Sequence, residues 1–138
     1  MKKIGLTGRY SDSKPKAMNL SGSKNDYKQF VDLIKGKDSI ELALKIPEMP
    51  PTPYCGYINT INIEISKSKL RIKGSNLSLI VSGTKDSIEL FINNIQSLMT
   101  YKARKDTKPR PHIHVEYYSG SDFIESDSEP LVLTLDCR

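Results

Sequence analysis

The stretch Ile61-Asn62-Ile63-Glu64-Ile65-Ser66-Lys67-Ser68-Lys69-Leu70-Arg71-Ile72-Lys73 decides the fold class. Apolar and polar residues alternate on both sides of Lys67-Ser68, the period of half-buried β-strands. A two-residue turn at Lys67-Ser68 sets Ile65 opposite Leu70, Ile63 opposite Ile72 and Glu64 opposite Arg71. Apolar then meets apolar and acid meets base, so the pairing is self-consistent. Gly74-Ser75-Asn76 turns the chain into a further strand over 77–82, and a three-stranded meander is expected. The basic row Lys67, Lys69, Arg71 and Lys73 reads as the solvated face of an antiparallel sheet, with a track for phosphates as its alternative.

Other strands are expected over residues 3–10, 18–21, 40–46, 112–118 and 131–135. Between them the chain resembles itself. Ser21-Gly22-Ser23-Lys24-Asn25-Asp26-Tyr27-Lys28-Gln29-Phe30-Val31 matches, 61 positions later and without a gap, Ser82-Gly83-Thr84-Lys85-Asp86-Ser87-Ile88-Glu89-Leu90-Phe91-Ile92. Each copy follows an apolar segment and opens a helix. Tyr27, Phe30, Val31 and Ile34 lie on one helix face, as do Ile88, Phe91, Ile92 and Ile95, with Leu98 and Met99 extending the second stripe. Ser23 and Thr84 are suited to N-capping, Asp26 to a capping box and Gly36 to a left-handed C-terminal cap. The two Ser-Gly-Ser/Thr-Lys segments lack the spacing of a P-loop, and they read as turn and cap chemistry used twice. The similarity fits an internal duplication, or two strand–helix units meeting the same local demands. The fold class is α+β: a mostly antiparallel meandering sheet with two helices packed on one face. Residues 1–138 form a single domain, with similar halves at about 1–46 and 56–138 joined by a Pro-rich loop at 47–53, where proline removes ladder donors.

Composition narrows the function classes. A chain of 138 residues with 37% hydrophobic and 27% charged residues is globular. Its net charge of +5 is too small an excess to argue for nucleic acid by itself. Cys55 and Cys137 match no metal or redox spacing, so a reduced cytoplasmic protein is expected. Met1-Lys2-Lys3-Ile4-Gly5-Leu6 has the charge of a signal peptide without its apolar run, and no stretch is long enough to span a membrane.

The C-terminal quarter carries the candidate sites. Lys102, Arg104, Lys105, Lys108 and Arg110 form a basic run with only Asp106 against it. His112, His114 and Glu116 then share one face of a strand, two histidines and a carboxylate that suit zinc or iron in kind but do not complete a ligand set. The expectation is therefore no cofactor and no metal, these three being the weak candidates, with a metal-dependent enzyme as an alternative function. No nucleophile elbow, Rossmann fingerprint or His-Glu-x-x-His motif is present, and neither cysteine stands in a motif that lowers its pKa. Nucleic-acid binding is a second alternative. Tyr10, Tyr54, Tyr57, Tyr101, Tyr117 and Tyr118 could stack on bases, but no RRM or helix-turn-helix pattern appears and the acidic segment would repel phosphate. Protein binding is the third class. Tyr118, Asp122, Phe123, Glu125, Asp127 and Glu129 combine aromatic anchors with carboxylates that steer a basic partner.

The tail His112-Ile113-His114-Val115-Glu116-Tyr117-Tyr118, followed by Ser126-Asp127-Ser128-Glu129-Pro130-Leu131-Val132-Leu133, resembles small bacterial immunity proteins of polymorphic and contact-dependent growth inhibition toxin systems. The chain length and the α+β meander share in that resemblance. It implies a non-enzymatic cytoplasmic protein, monomeric or weakly dimeric, that binds and neutralises a cognate toxin domain.

Overall fold

Both helices begin where a hydroxyl can cap them. The computed structural model describes residues 1–11, 17–75, 77–101 and 110–136. Its elements, in order, are β1 (Lys2–Lys3), β2 (Thr7–Ser11), β3 (Ala17–Gly22), α1 (Lys24–Ile34), β4 (Ser39–Ala43), β5 (Gly56–Ile58), β6 (Thr60–Ile65), β7 (Arg71–Ser75), β8 (Ser78–Gly83), α2 (Lys85–Met99), β9 (His112–Val115) and β10 (Leu131–Leu135). Ser23 Oγ accepts from the Asp26 amide at 3.2 Å while Asp26 Oδ2 accepts from the Ser23 amide at 2.9 Å, a closed capping box. Thr84 Oγ1 accepts from the Ser87 amide at 3.1 Å. Gly36, at φ +70°, turns the chain away after α1. The expected stripes, Tyr27 to Ile34 and Ile88 to Leu98, are buried.

The strands form two mixed five-stranded sheets instead of one mostly antiparallel sheet. One has the order β1-β4-β6-β8-β7 and the other β5-β2-β3-β10-β9. Pairs β1–β4, β6–β8 and β3–β10 are parallel. The expected strand at 3–10 is split: its start joins the first sheet, its end joins the second, and the buried Ile4 and Leu6 lie in the crossing. Asn59 is the only residue between β5 and β6, which likewise belong to different sheets. The helices contact each other; α1 packs on β3, and α2 on β8, β9 and β10. Tyr27 ties α1 to the parallel seam, its hydroxyl 2.9 Å from the Leu20 carbonyl and 2.8 Å from the Thr134 carbonyl.

The meander fails for a definite reason. β8 lies between β6 and β7, so Ile63 and Ile72 both neighbour Val81, and Glu64 and Arg71 both neighbour Ser82. Leaving β6, the chain crosses the end of β8: the Ser66 amide donates to Gly83 O at 2.7 Å, and the Thr84 amide to Ser68 O at 3.0 Å. Alternation fixes the face each side chain takes, not the strand beside it. Ile61, Ile63 and Ile72 remain buried in either arrangement.

The two sheets correspond rung by rung. Across one runs the row Thr7, Ser21, Thr134, His112; across the other, Arg71, Ser82, Glu64, Ser39. The next rows are Arg9, Asn19, Val132, His114 and Lys73, Ile80, Asn62, Glu41. Equivalent main-chain bonds recur beyond the strands, Ile65 N to Asp38 O matching Leu135 N to Pro111 O, each 2.9 Å. In this correspondence β2, β3, α1, β4 and β6 match β7, β8, α2, β9 and β10. Each half lends its last two strands to the sheet that holds the other half's first two.

Candidate partner-binding groove

The acidic segment is built into the fold by the basic strand. After β9 the chain runs along the outer edge of β7. Leu70 N donates to Phe123 O at 3.0 Å, Glu125 N to Leu70 O at 2.8 Å and Glu129 N to Ile72 O at 2.8 Å. Side chains complete the edge: the Lys69, Ile72 and Gly74 amides donate to Glu125 Oε1, Ser128 Oγ and Glu129 Oε1 at 3.0–3.1 Å. An edge strand left bare would recruit other chains, and this covering blunts it. Arg71 Nε reaches Asp127 Oδ1 at 3.0 Å, with Lys73 Nζ 3.7 Å from Asp127 Oδ2 and Arg71 Nη2 4.0 Å from Glu125 Oε2. The Arg71 hydrogen bond holds the Asp127 carboxyl below the usual carboxylate range. Of the predicted acidic residues, Glu125, Asp127 and Glu129 therefore face β7, and Asp122 stands exposed.

The aromatic residues stay outside that network. Tyr118 is 62% exposed and Phe123 55%. They border a groove of about 420 Å³ between the open ends of the two sheets, within the range of ligand sites. Its floor is Leu70, Val115 and Ile124. One wall is α2, through Ser87, Leu90 and Asn94; the other is His114, Glu116 and Ser121. Gly120, at φ +87°, makes the turn that brings Tyr118 and Phe123 to the same rim. Sequence reasoning missed the helical wall. A signal was present: Leu90 is 39% exposed and lies off the stripe Ile88, Phe91, Ile92, Ile95, an apolar residue on a polar helix face.

The histidines take the expected face of β9, beside Thr134 and Val132. Their rings meet edge to face, centroids 5.1 Å apart. His112 Nδ1 lies 2.8 Å from the Arg110 carbonyl, and since a carbonyl only accepts, that nitrogen carries the proton. Glu116 lies beyond the strand and lines the groove with His114. Among the described residues no group of three or more His, Cys, Asp or Glu side chains converges as metal ligands would.

The same outer sheet face carries Arg9 and Tyr57, the guanidinium 5.5 Å from the ring centroid. Arg9 Nη1 also donates to Ser21 Oγ at 2.8 Å, and Asn19 Nδ2 to Thr134 Oγ1 at 2.8 Å. Of the predicted basic run only Arg110 is described, paired with Asp136 at 2.7 Å; Lys102, Arg104, Lys105, Lys108, Asn76, Cys137 and Arg138 lie outside the described residues. No helix among the described residues is long and apolar enough to cross a membrane. Set against known proteins, the chain matches no family model, no curated protein and no solved structure, so the functional reading rests on its own residues.

Proposed function

We propose that the protein is a non-enzymatic binding protein of the immunity class, which takes a cognate toxin domain in the groove between α2 and β9 and so blocks it. The observation that carries this reading is the cluster of Tyr118, Phe123 and Leu90, large apolar side chains held exposed around one concavity. Exposed apolar patches of this kind mark interaction sites, and aromatic anchors over a pocket dominate binding energy. Support also comes from the loop behind them. Its main chain is fixed to β7, so the anchors are presented on a braced frame and lose little freedom on binding. Glu116 lines the groove, Asp122 stands exposed between the groove residues Ser121 and Phe123, and both favour a basic partner surface.

In this reading Glu125, Asp127 and Glu129 position the loop, while Tyr118, Phe123 and Asp122 meet the partner. A bacterial cytoplasmic setting and a monomeric or weakly dimeric state belong to the same proposal. So does an origin of the two corresponding halves by duplication. Nucleic acid is the less favoured partner, because Arg71 and Lys73 direct their charge at Asp127 and Glu125. The reading predicts a toxin gene immediately upstream on the source chromosome, and the test is binding to the toxin domain that it encodes, together with protection of cells expressing that domain. Tight binding that fails on Tyr118→Ala and Phe123→Ala supports the reading. No binding, and no protection by the unaltered chain, refutes it.

A further inference from the structure

The groove has a counterpart in the other half of the molecule, and there the chain's own N-terminal arm occupies part of it, leaving a pocket of about 320 Å³ lined by Lys2, Gln29 and Leu33. Ser87, Leu90 and Asn94 of α2 correspond to Asp26, Gln29 and Leu33 of α1, 61 positions earlier. Leu70 corresponds to Leu6, and β9 to β4. In the first half the N-terminal arm lies along the outer edge of β4. β1 pairs there in parallel, Lys2 beside Leu42 and Lys3 beside Ala43. The Ile4 amide then donates to Ala43 O at 2.9 Å. Ile4 is 2% exposed, and Gly5 packs so closely on Asp26 that a Cβ would collide with its carboxylate. Lys2 lies beside Gln29 and Leu33. The chain's own extended arm thus closes this end of the first sheet.

On the side of β9 away from β10 no strand pairs among the described residues. Leu135 N bonds Pro111 O, so Pro111–Leu135 is a hydrogen-bonded pair of the ladder, and alternation makes Ile113–Leu133 and Val115–Leu131 the next two. The peptide groups of His112 and His114 consequently point away from β10. They match Ser39 and Glu41 of β4; on that edge β1 pairs one step further along, at Leu42 and Ala43, the counterparts of Val115 and Glu116. The groove is the position that an arm would occupy.

We infer that the partner enters this groove as an extended segment added to the outer edge of β9, with an apolar side chain seated over Leu70 and Val115 where the arm seats Ile4 in the other half. The inference rests on the binding reading above and specifies its geometry. Strand addition supplies main-chain hydrogen bonds from the edge, and the pocket selects alternate side chains. Neighbouring Glu116 favours a basic residue beside the apolar one, the order found in Lys2-Lys3-Ile4.

The edge can be closed without disturbing the ladder. His114→Pro removes an amide that β10 does not use, and proline is accepted on the solvent side of an edge strand. His114→Ala keeps that amide. The probe is a phage-displayed library of random linear peptides selected on the full-length chain. Enriched peptides are expected to carry apolar residues at alternate positions. Both variants lose the imidazole that lines the groove, so the comparison lies between them: the peptides should bind the proline variant at least about tenfold more weakly than the alanine variant. On the unaltered chain they should slow amide exchange at His112, His114 and Glu116, a readout that needs no variant. Peptides that bind the proline variant undiminished and leave those amides unprotected, or no enriched peptide at all, overturn the inference. The upstream toxin domain separates the two claims. If it binds both variants alike, the immunity reading stands and strand addition falls. If it binds neither while peptides protect β9, the toxin assignment falls and strand addition stands.

Discussion

Tyr27→Phe isolates one buried hydroxyl and carries a pH signature of its own. That hydroxyl is the only polar atom of a fully buried side chain, and it serves the Leu20 and Thr134 carbonyls across the parallel seam. Removing it withdraws a donor from a dry site, which costs about 1–3 kcal/mol. Unfolding entropy for a chain of this length is about 0.29 kcal/mol/K, so a loss of about 1.5 kcal/mol lowers Tm by about 5 °C. Burial first, and the charge of Asp136 second, push the phenol well above its usual 10.0. Native Tyr27 therefore stays protonated in mild alkali while the unfolded chain ionises there. Stability from this group is full below about pH 10 and is lost as pH rises above it. At about pH 11 the unaltered protein has lost about 1.4 kcal/mol relative to pH 8 through this residue alone. The phenylalanine variant loses nothing by this route. Its deficit should thus be largest near pH 8 and shrink by about 1.4 kcal/mol at pH 11, other titrations cancelling between the two proteins. The chain has no tryptophan, so guanidinium unfolding is followed by far-UV circular dichroism at both pH values. A deficit independent of pH, or no deficit at pH 8, refutes the reasoning.

Phe30→Ala and Phe91→Ala, at corresponding helix positions, should each cost about 3–5 kcal/mol in denaturant unfolding, because both side chains are fully buried. Leu77 sits at φ +64°, where a bulky side chain is strained; Leu77→Gly should relieve about 1 kcal/mol and raise Tm by a few degrees in calorimetry. Arg71→Ala should leave Tm nearly unchanged, its ion pairs being partly exposed to solvent, yet speed amide exchange at Glu125 and Glu129. Acid should mimic that change: with its pKa held low, Asp127 braces the loop above the usual carboxylate range and releases it as pH falls through its depressed value, seen as faster exchange of the same amides. Tyr118→Ala and Phe123→Ala should each weaken partner binding at least about tenfold in calorimetric titration while leaving unfolding unaffected.

The local grammar of this sequence was legible and its long-range pairing was not. Ser23 with Asp26, Thr84, Gly36 and the two apolar stripes each announce a structure set by neighbours within a helical turn. The run from Ile61 to Lys73 announced two strands correctly but not their neighbours, because Leu79 and Val81 can pair with either one. The split of residues 3–10 between sheets leaves no mark in the alternation, since Ile4 and Leu6 are buried as strand residues would be. Charge patterning misled in a specific way. The acidic segment near 125–129 and the basic row near 69–73 looked like separate faces because they are more than fifty residues apart in sequence, and folding places them against each other. Composition singles out Tyr118 and Phe123 as exposed aromatic residues, but the groove they border also needs Leu70 and Leu90, which only the two-sheet arrangement brings beside them.

The most direct test of the central claim is a nuclear magnetic resonance titration of isotope-labelled protein with the toxin domain proposed as its partner, read residue by residue. Perturbed and newly protected amides are expected to gather around Leu90, Asn94, Val115, Tyr118 and Phe123, along α2 and the outer edge of β9. Perturbation centred instead on Arg9, Asn19 and Tyr57, or on Lys3, Glu41 and Asn62 of the other outer sheet face, with the groove silent, would contradict it.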